Sequence, residues 1–293
     1  MVGLSPEVLS HYPRFSLYNS PYTAHDEGCA IDLYPGSGDF RASDSRAGSE
    51  ATRETSAPSP VAGEVVETRT VTAPQKPYAV AHDYLIVVDT GDYLARMLHV
   101  EPSVEPGDWV EVGDSLGAMV RSGFFAPWVA NHIHLGFRPR DSNPVRASGS
   151  LPMECSVEIE PLAWDGSGRV VATGDTFVVL DSPTHPAPGE RFAGIAAIAG
   201  DETIVLDGGL PHYEGGGALA QRFSDISASV SLLGSSVGRA DGRTVTWNDV
   251  EIRANGTPIT GLSLFVAREQ FGAKLVCPGH DFSVGDSISV SIR

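Results

Sequence analysis

Residues 104–119 read VEPGDWVEVGDSLGAM, and in them two Gly-Asp turns, at Gly107 and Gly113, flank a short strand before a second strand opens at Leu116. Turns this tight between strands this short are the mark of a compact β-barrel or sandwich. Upstream, Val61–Thr72 (VAGEVVETRTVT), Ala79–Thr90 (AVAHDYLIVVDT) and Tyr93–Val100 (YLARMLHV) alternate β-branched and polar residues between Gly and Pro, which predicts three more strands. Downstream, Ile133–Arg138 predicts the strand that closes the unit. Pro139–Pro152 is polar with three prolines, as a linker would be, so a boundary is expected near residue 145, dividing 1–145 from 146–293. Gly36–Pro60, rich in Ser, Ala, Gly, Arg and Glu and without apolar periodicity, reads as a long loop over 36–60.

From Met153 onward short alternating runs recur between Gly-rich turns: CSVEIEPL, RVVATGDTFVVL, ETIVLDGG, ISASVSLLG, RTVTWNDVEIRA, LSLFVA, AKLVCP and SISVSIR. A second β-sandwich-like domain is the natural reading. Neither half carries a sustained 3.6-residue apolar stripe, and the best helix candidate is the short run Gly217–Ser224. The fold class predicted is all-β.

Composition bounds the function. The longest apolar runs, such as Leu85–Val88 and Ile195–Ala199, fall far short of the roughly 20 residues a bilayer-crossing helix needs. Met1–Phe15 lacks the apolar core of a signal peptide, and Cys29, Cys155 and Cys277 lie far apart with no CxxC pairing, so a reducing, cytoplasmic setting is expected. Twenty basic against 37 acidic residues, a formal charge of −17, disfavour nucleic acid and anionic lipid as partners. Only Lys76 and Lys274 are lysines. That acidic, lysine-poor balance fits either a halophilic protein, whose self-repulsion concentrated salt would screen, or an arginine-rich codon usage.

Of the nine histidines, His25, His99, His132 and His134, all in the first domain, invite a geometric reading. His132 and His134 are one residue apart in ANHIHLGFRP, so on a strand both imidazoles share a face and can share a metal site or a catalytic pocket. His25 precedes Asp32 in AHDEGCAIDLYP, and two histidines with a carboxylate form a common three-ligand catalytic zinc set, although ligand type alone also admits iron. His99, in YLARMLHVEP, alternates with Leu98 and Val100 and so projects opposite to them, where it can face the same pocket.

The order of these elements, H…D, then APSPVAGEVV, a strand ending in a lone His, V-x-x-GD-x-V-x-x-GD-x-LG and finally HIHLGF, resembles the LytM/lysostaphin-type zinc metallopeptidases over about residues 20–140. The resemblance implies a duplicated hybrid motif, an all-β barrel-like sandwich. It implies one zinc held by His25, Asp32 and His134, with His99 and His132 beside the open position to handle a proton or hold a developing oxyanion. Lewis-acid polarisation of a peptide carbonyl and activation of a water would follow, making the chain a zinc metalloendopeptidase acting on a peptide or protein. One spacing departs from the family. There His and Asp stand four apart, on one strand face, whereas His25 and Asp32 are seven apart, so a loop or bulge at Glu27, Gly28 and Cys29 is needed, with Gly28 the residue that permits it. Without it, Asp26 or Glu27 would ligate instead, or the site would be lost.

In the second domain His212, Cys277, His280 and Asp281 sit in Gly-rich loops; a Cys277–His280 pair has no third partner by spacing, and turn residues around a buried cysteine are the favoured reading. Two functions remain open: a zinc-dependent hydrolase, favoured by the complete ligand set, and a non-catalytic relative serving as a binding or regulatory module, favoured by the altered spacing. A lipoyl-type carrier fails because Lys76 lies between prolines outside the turn region.

Overall fold

The computed structural model describes residues 1–36, 56–146, 148–219 and 227–293. The chain is all-β; among the described residues its two α-helices, Pro6–Leu9 and Thr23–Asp26, are single turns, and no helix is long and apolar enough to cross a membrane. Two compact units form. The first takes residues 1–13, the described part of 29–38, and the described residues from 56 to 156; the second takes 14–28 and the described residues from 157 on.

In the first unit six strands lie antiparallel in the order Trp109–Val110, Gly63–Thr72, His82–Asp89, Tyr93–Leu98, Ile133–Pro139, Ile31–Tyr34. A second sheet joins Ser56–Pro58, Ser115–Met119 and Val100–Pro102. Leu85, Ile86, Val87 and Val88 are all buried, so the His82–Asp89 strand is covered on both faces, which is why its apolar run is continuous rather than alternating. Both Gly-Asp turns are built alike. Gly107 and Gly113 take φ of +100° and +92°, and Asp108 and Asp114 each accept a backbone N–H from three residues upstream, Glu105 at 2.8 Å and Glu111 at 2.9 Å.

The strand expected over Tyr93–Val100 breaks at its seventh residue. His99 takes φ of +72°, ending Tyr93–Leu98 and starting Val100–Pro102 in the other sheet, so strand alternation does not set its direction. The stretch 139–152, expected as a linker, turns back on the first unit: Leu151 donates to the Phe137 carbonyl and Arg138 to that of Arg146, and Val2–Leu4 pairs in parallel with Met153–Cys155. Residues 37–55 of the loop expected over 36–60 lie outside the described residues, and Ser56–Pro58 at its end is a short strand.

The second unit is a set of hairpins, among them Ser167–Gly174 with Phe177–Leu180, Phe192–Ala199 with Glu202–Leu210, and Ser227–Leu232 with Ser235–Asp241. Val178, Leu180, Leu206, Leu210, Leu262 and Leu275 contribute to one apolar core. Gly215–Leu219 is a strand, not the start of the helix expected from Gly217. A Cβ on Gly216 would meet the Trp247 ring at 2.2 Å and one on Gly217 the Tyr18 ring at 2.0 Å, so this glycine run serves close packing in the sheet. The remainder of that expected helix, 220–224, lies outside the described residues.

Candidate metal centre

The strand Ile133–Pro139 organises the site through its register. His134 stands opposite Asp32 on one side and opposite Leu98 on the other. Directly opposed residues share a sheet face, and His134 Nδ1 accordingly lies 3.0 Å from Asp32 Oδ1. His132 falls one residue before the strand begins, yet its Nε2 reaches the same oxygen at 3.3 Å. Its Nδ1 lies 2.9 Å from the Ala130 carbonyl oxygen, which can only accept, so Nδ1 donates there while Nε2 faces the Asp32 carboxylate. Burial draws the His132 pKa below the ordinary imidazole value, against the pull of Asp32.

His25 sits on the one-turn helix Thr23–Asp26 and is fully buried. The helix ends at Glu27, and Gly28 follows with φ of +63°. The chain thus meets the seven-residue spacing with a helical turn and a left-handed glycine, not with a bulge in a strand. His25 Nδ1 lies 2.6 Å from the Leu17 carbonyl oxygen, which leaves Nε2 as the unprotonated nitrogen of the neutral ring. Leu17 is itself fixed within the second unit, where its N–H donates to Asp207 Oδ2 at 2.6 Å.

One ligand atom from each of His25, Asp32 and His134 lies within 4.8 Å of the others, and this group, without Asp26 or Glu27, can hold a metal ion. Two imidazoles and one carboxylate, drawn together to bonds of about 2.0–2.2 Å, suit a divalent ion such as zinc with a coordination position left over.

His99 lies beside these groups: its ring centroid is 5.2 Å from that of His132 and 5.9 Å from that of His134. Phe125 packs against both, at 4.6 Å from His99 and 4.4 Å from His132. His99 Nδ1 lies 2.6 Å from Asp83 Oδ2, which also accepts the Ser122 hydroxyl at 2.5 Å. Burial works to raise the Asp83 pKa, but the attraction of the neighbouring imidazole, when protonated, and the hydrogen bonds from His99, Ser122 and Tyr84 outweigh it and hold the carboxyl below the usual range. Asp83, Ser122 and Phe125 did not stand out in the sequence. The signal for Asp83 was there: it shares strand parity with the buried Leu85 and Val87, an acid where alternation places the core.

The second-unit candidates do not assemble a site. Burial pushes the Cys277 thiol up to about 12, and its S–H faces the Leu275 carbonyl. His280 spends Nε2 on the Gly174 carbonyl at 2.9 Å and Nδ1 on the Phe282 N–H at 3.0 Å, so the two form no thiol–imidazole pair. Burial draws His212 down to about 4.

Residues 3–155 match the N-terminal domain, and residues 160–293 the C-terminal domain, of a family described as a domain of unknown function (DUF8155). No curated protein matches the chain. Among solved structures, the catalytic domain of the antimicrobial peptidase lysostaphin from Staphylococcus simulans, crystallised in the absence of phosphate, is 16% identical, with a TM-score of 0.29 over 50% of this chain and 92% of that one. The antimicrobial peptidase lysostaphin from the same organism is 13% identical, with a TM-score of 0.29 over 97% of this chain and 96% of that one. At that TM-score the likeness carries no inference about the site. The chain belongs to the DUF8155 family, with the N-terminal and C-terminal domains in that order.

Proposed function

We propose that the protein is a zinc-dependent hydrolase of peptide bonds, with His25, Asp32 and His134 holding one zinc per chain and His99 and His132 serving the reaction beside it. The observation that carries this reading is the gathering of His25, Asp32 and His134 ligand atoms within 4.8 Å, from a helical turn and two strands, with two further buried imidazoles alongside. When bound, zinc supplies Lewis acidity, polarising a carbonyl and activating a water.

The chain's own groups do the rest. His25, anchored at Nδ1, and Asp32, enclosed in the sheet, present their ligand atoms with little freedom to move, so little entropy is lost on binding the ion. His132, anchored at Nδ1 by Ala130, exchanges a proton at Nε2, as does His99, or one of them donates from Nε2 to the developing oxyanion. Phe125 lies against both rings and keeps water from their faces, which strengthens each polar contact made there.

The test is metal analysis combined with turnover. The purified full chain should contain about one zinc and cleave members of a fluorogenic peptide library, 1,10-phenanthroline should abolish cleavage, and added zinc should restore it. Zinc bound at that stoichiometry with no cleavage of any peptide would move the assignment to a metal-dependent binding module. No zinc at all would overturn both.

A further inference from the structure

Asp83 is fully buried, and its two oxygens accept four hydrogen bonds. Oδ1 takes the backbone N–H groups of Tyr84 at 2.7 Å and His99 at 3.1 Å; Oδ2 takes His99 Nδ1 at 2.6 Å and the Ser122 hydroxyl at 2.5 Å. A carboxylate offers about four lone-pair sites, and here each has a donor. The residue so held is one of three described non-glycine residues with positive φ, a conformation that persists only where the surroundings over-determine it. One carboxylate therefore grips both the backbone and the ring of His99. An ionised carboxylate only accepts, so Nδ1 must carry the proton and Nε2 is the nitrogen left for chemistry.

We infer that Asp83 is a positioning residue, which fixes His99 in its left-handed turn and in the Nδ1–H tautomer so that Nε2 faces the reaction. The catalytic consequence rests on the hydrolase reading above; the tautomer does not. Nothing in the motif that carries the family resemblance includes Asp83. Ser122 has a supporting part, holding the oxygen that His99 uses.

The discriminating variant is Asp83→Asn. One amide atom must still accept from the N–H groups of Tyr84 and His99, which turns the NH2 towards His99 Nδ1 and Ser122. Ser122 can rotate to accept; His99 can accept only by giving up its Nδ1 proton and becoming Nε2–H. Long-range proton–nitrogen NMR on the metal-free full chain should show His99 as Nδ1–H in the parent and Nε2–H in Asp83→Asn. In the zinc-loaded enzyme the variant should keep parental zinc content and a KM within a few fold, while kcat falls on the order of 10²- to 10⁴-fold. Ser122→Ala should keep the parental tautomer and lose less than about tenfold in kcat.

Nε2–H in the parent overturns the inference, and that measurement stands even if Asp83→Asn does not fold. A parental kcat in a folded Asp83→Asn whose tautomer has switched overturns the catalytic role. A parent that is Nδ1–H at His99 but neither binds zinc nor cleaves peptides leaves the positioning intact and removes the hydrolase reading instead.

Discussion

Asp32 Oδ1 lies 3.0 Å from Nδ1 of His134, and the two residues stand directly opposite each other in the antiparallel pair that joins Ile31–Tyr34 to Ile133–Pro139. The pair is thus set by backbone register rather than by a flexible side-chain reach. Replacing His134 by Ala removes one ligand and leaves that register alone. We expect His134→Ala to lose zinc, measured by inductively coupled plasma mass spectrometry after dialysis, while the far-ultraviolet circular dichroism stays β-like. Full zinc occupancy in the variant would refute its place in the ligand set.

His132 tests the division between holding the ion and serving the reaction. Its Nδ1 is engaged by Ala130, and its Nε2 is 3.3 Å from Asp32, but His132 is not among the three residues whose ligand atoms could together hold a metal ion. His132→Ala should therefore retain zinc and lose hydrolysis by on the order of 10²- to 10⁴-fold. Truncating a buried ring also costs stability, so rates should be compared well below the melting temperature of the variant. Zinc lost as completely as in His134→Ala would assign His132 to the ligands.

Much of this grouping of side chains is legible in the sequence, for a physical reason. An HxH pair in extended chain has a period of two, so His132, one residue ahead of the strand, and His134 within it both reach Asp32, and strand order with tight Gly-Asp turns announced the all-β class. What stayed hidden depended on long-range placement. The His25 to Asp32 spacing could be resolved only by knowing that residues 23–26 close a helical turn, too short to show a 3.6-residue stripe. His99 read as a strand residue because nothing local signals a left-handed non-glycine; the cause is Asp83, sixteen residues earlier. Likewise, residues 14–28 belong with the second unit through Asp207, a contact across 190 residues of chain.

Asp207 yields a prediction about pH. Ser16 Oγ donates to its Oδ1 at 2.5 Å, and the N–H groups of Leu17 and Tyr18 donate to its Oδ2. Burial nonetheless dominates and pushes its pKa up to about 6. With the folded value above the unfolded one, the protonated form favours folding. Stability from this group is full below about pH 4, falls as the pH rises through about 6, and is flat beyond. In metal-free protein the unfolding free energy of Asp207→Asn minus that of the parent should rise between pH 4 and 7 by on the order of 3 kcal/mol, read from urea titrations. Taking the difference cancels the other carboxylates. A difference that stays constant across that range would show that Asp207 folds ionised.

The last prediction concerns salt. A formal charge of −17 with two lysines makes the folded chain repel itself at low ionic strength. Raising ionic strength from 0.1 to 1 M shortens the Debye length from about 10 Å to about 3 Å, less than the spacing of most surface charges. If the composition is an adaptation to concentrated salt, the melting temperature should climb steeply between 0.1 and 2 M KCl. Preferential exclusion of salt raises melting temperatures too, so the comparison that decides is internal. Glu7, Glu154, Glu158, Asp201, Glu202 and Glu269 are all exposed, and changing them together to Gln or Asn removes six negative charges without touching the metal centre. The sixfold variant should melt higher than the parent at 0.1 M KCl and gain less on going to 2 M, since less repulsion remains to be screened. Parallel melting curves for the two proteins, or a parent indifferent to salt, would mean that the acidic surface reflects codon usage and that screening has no part in holding the fold.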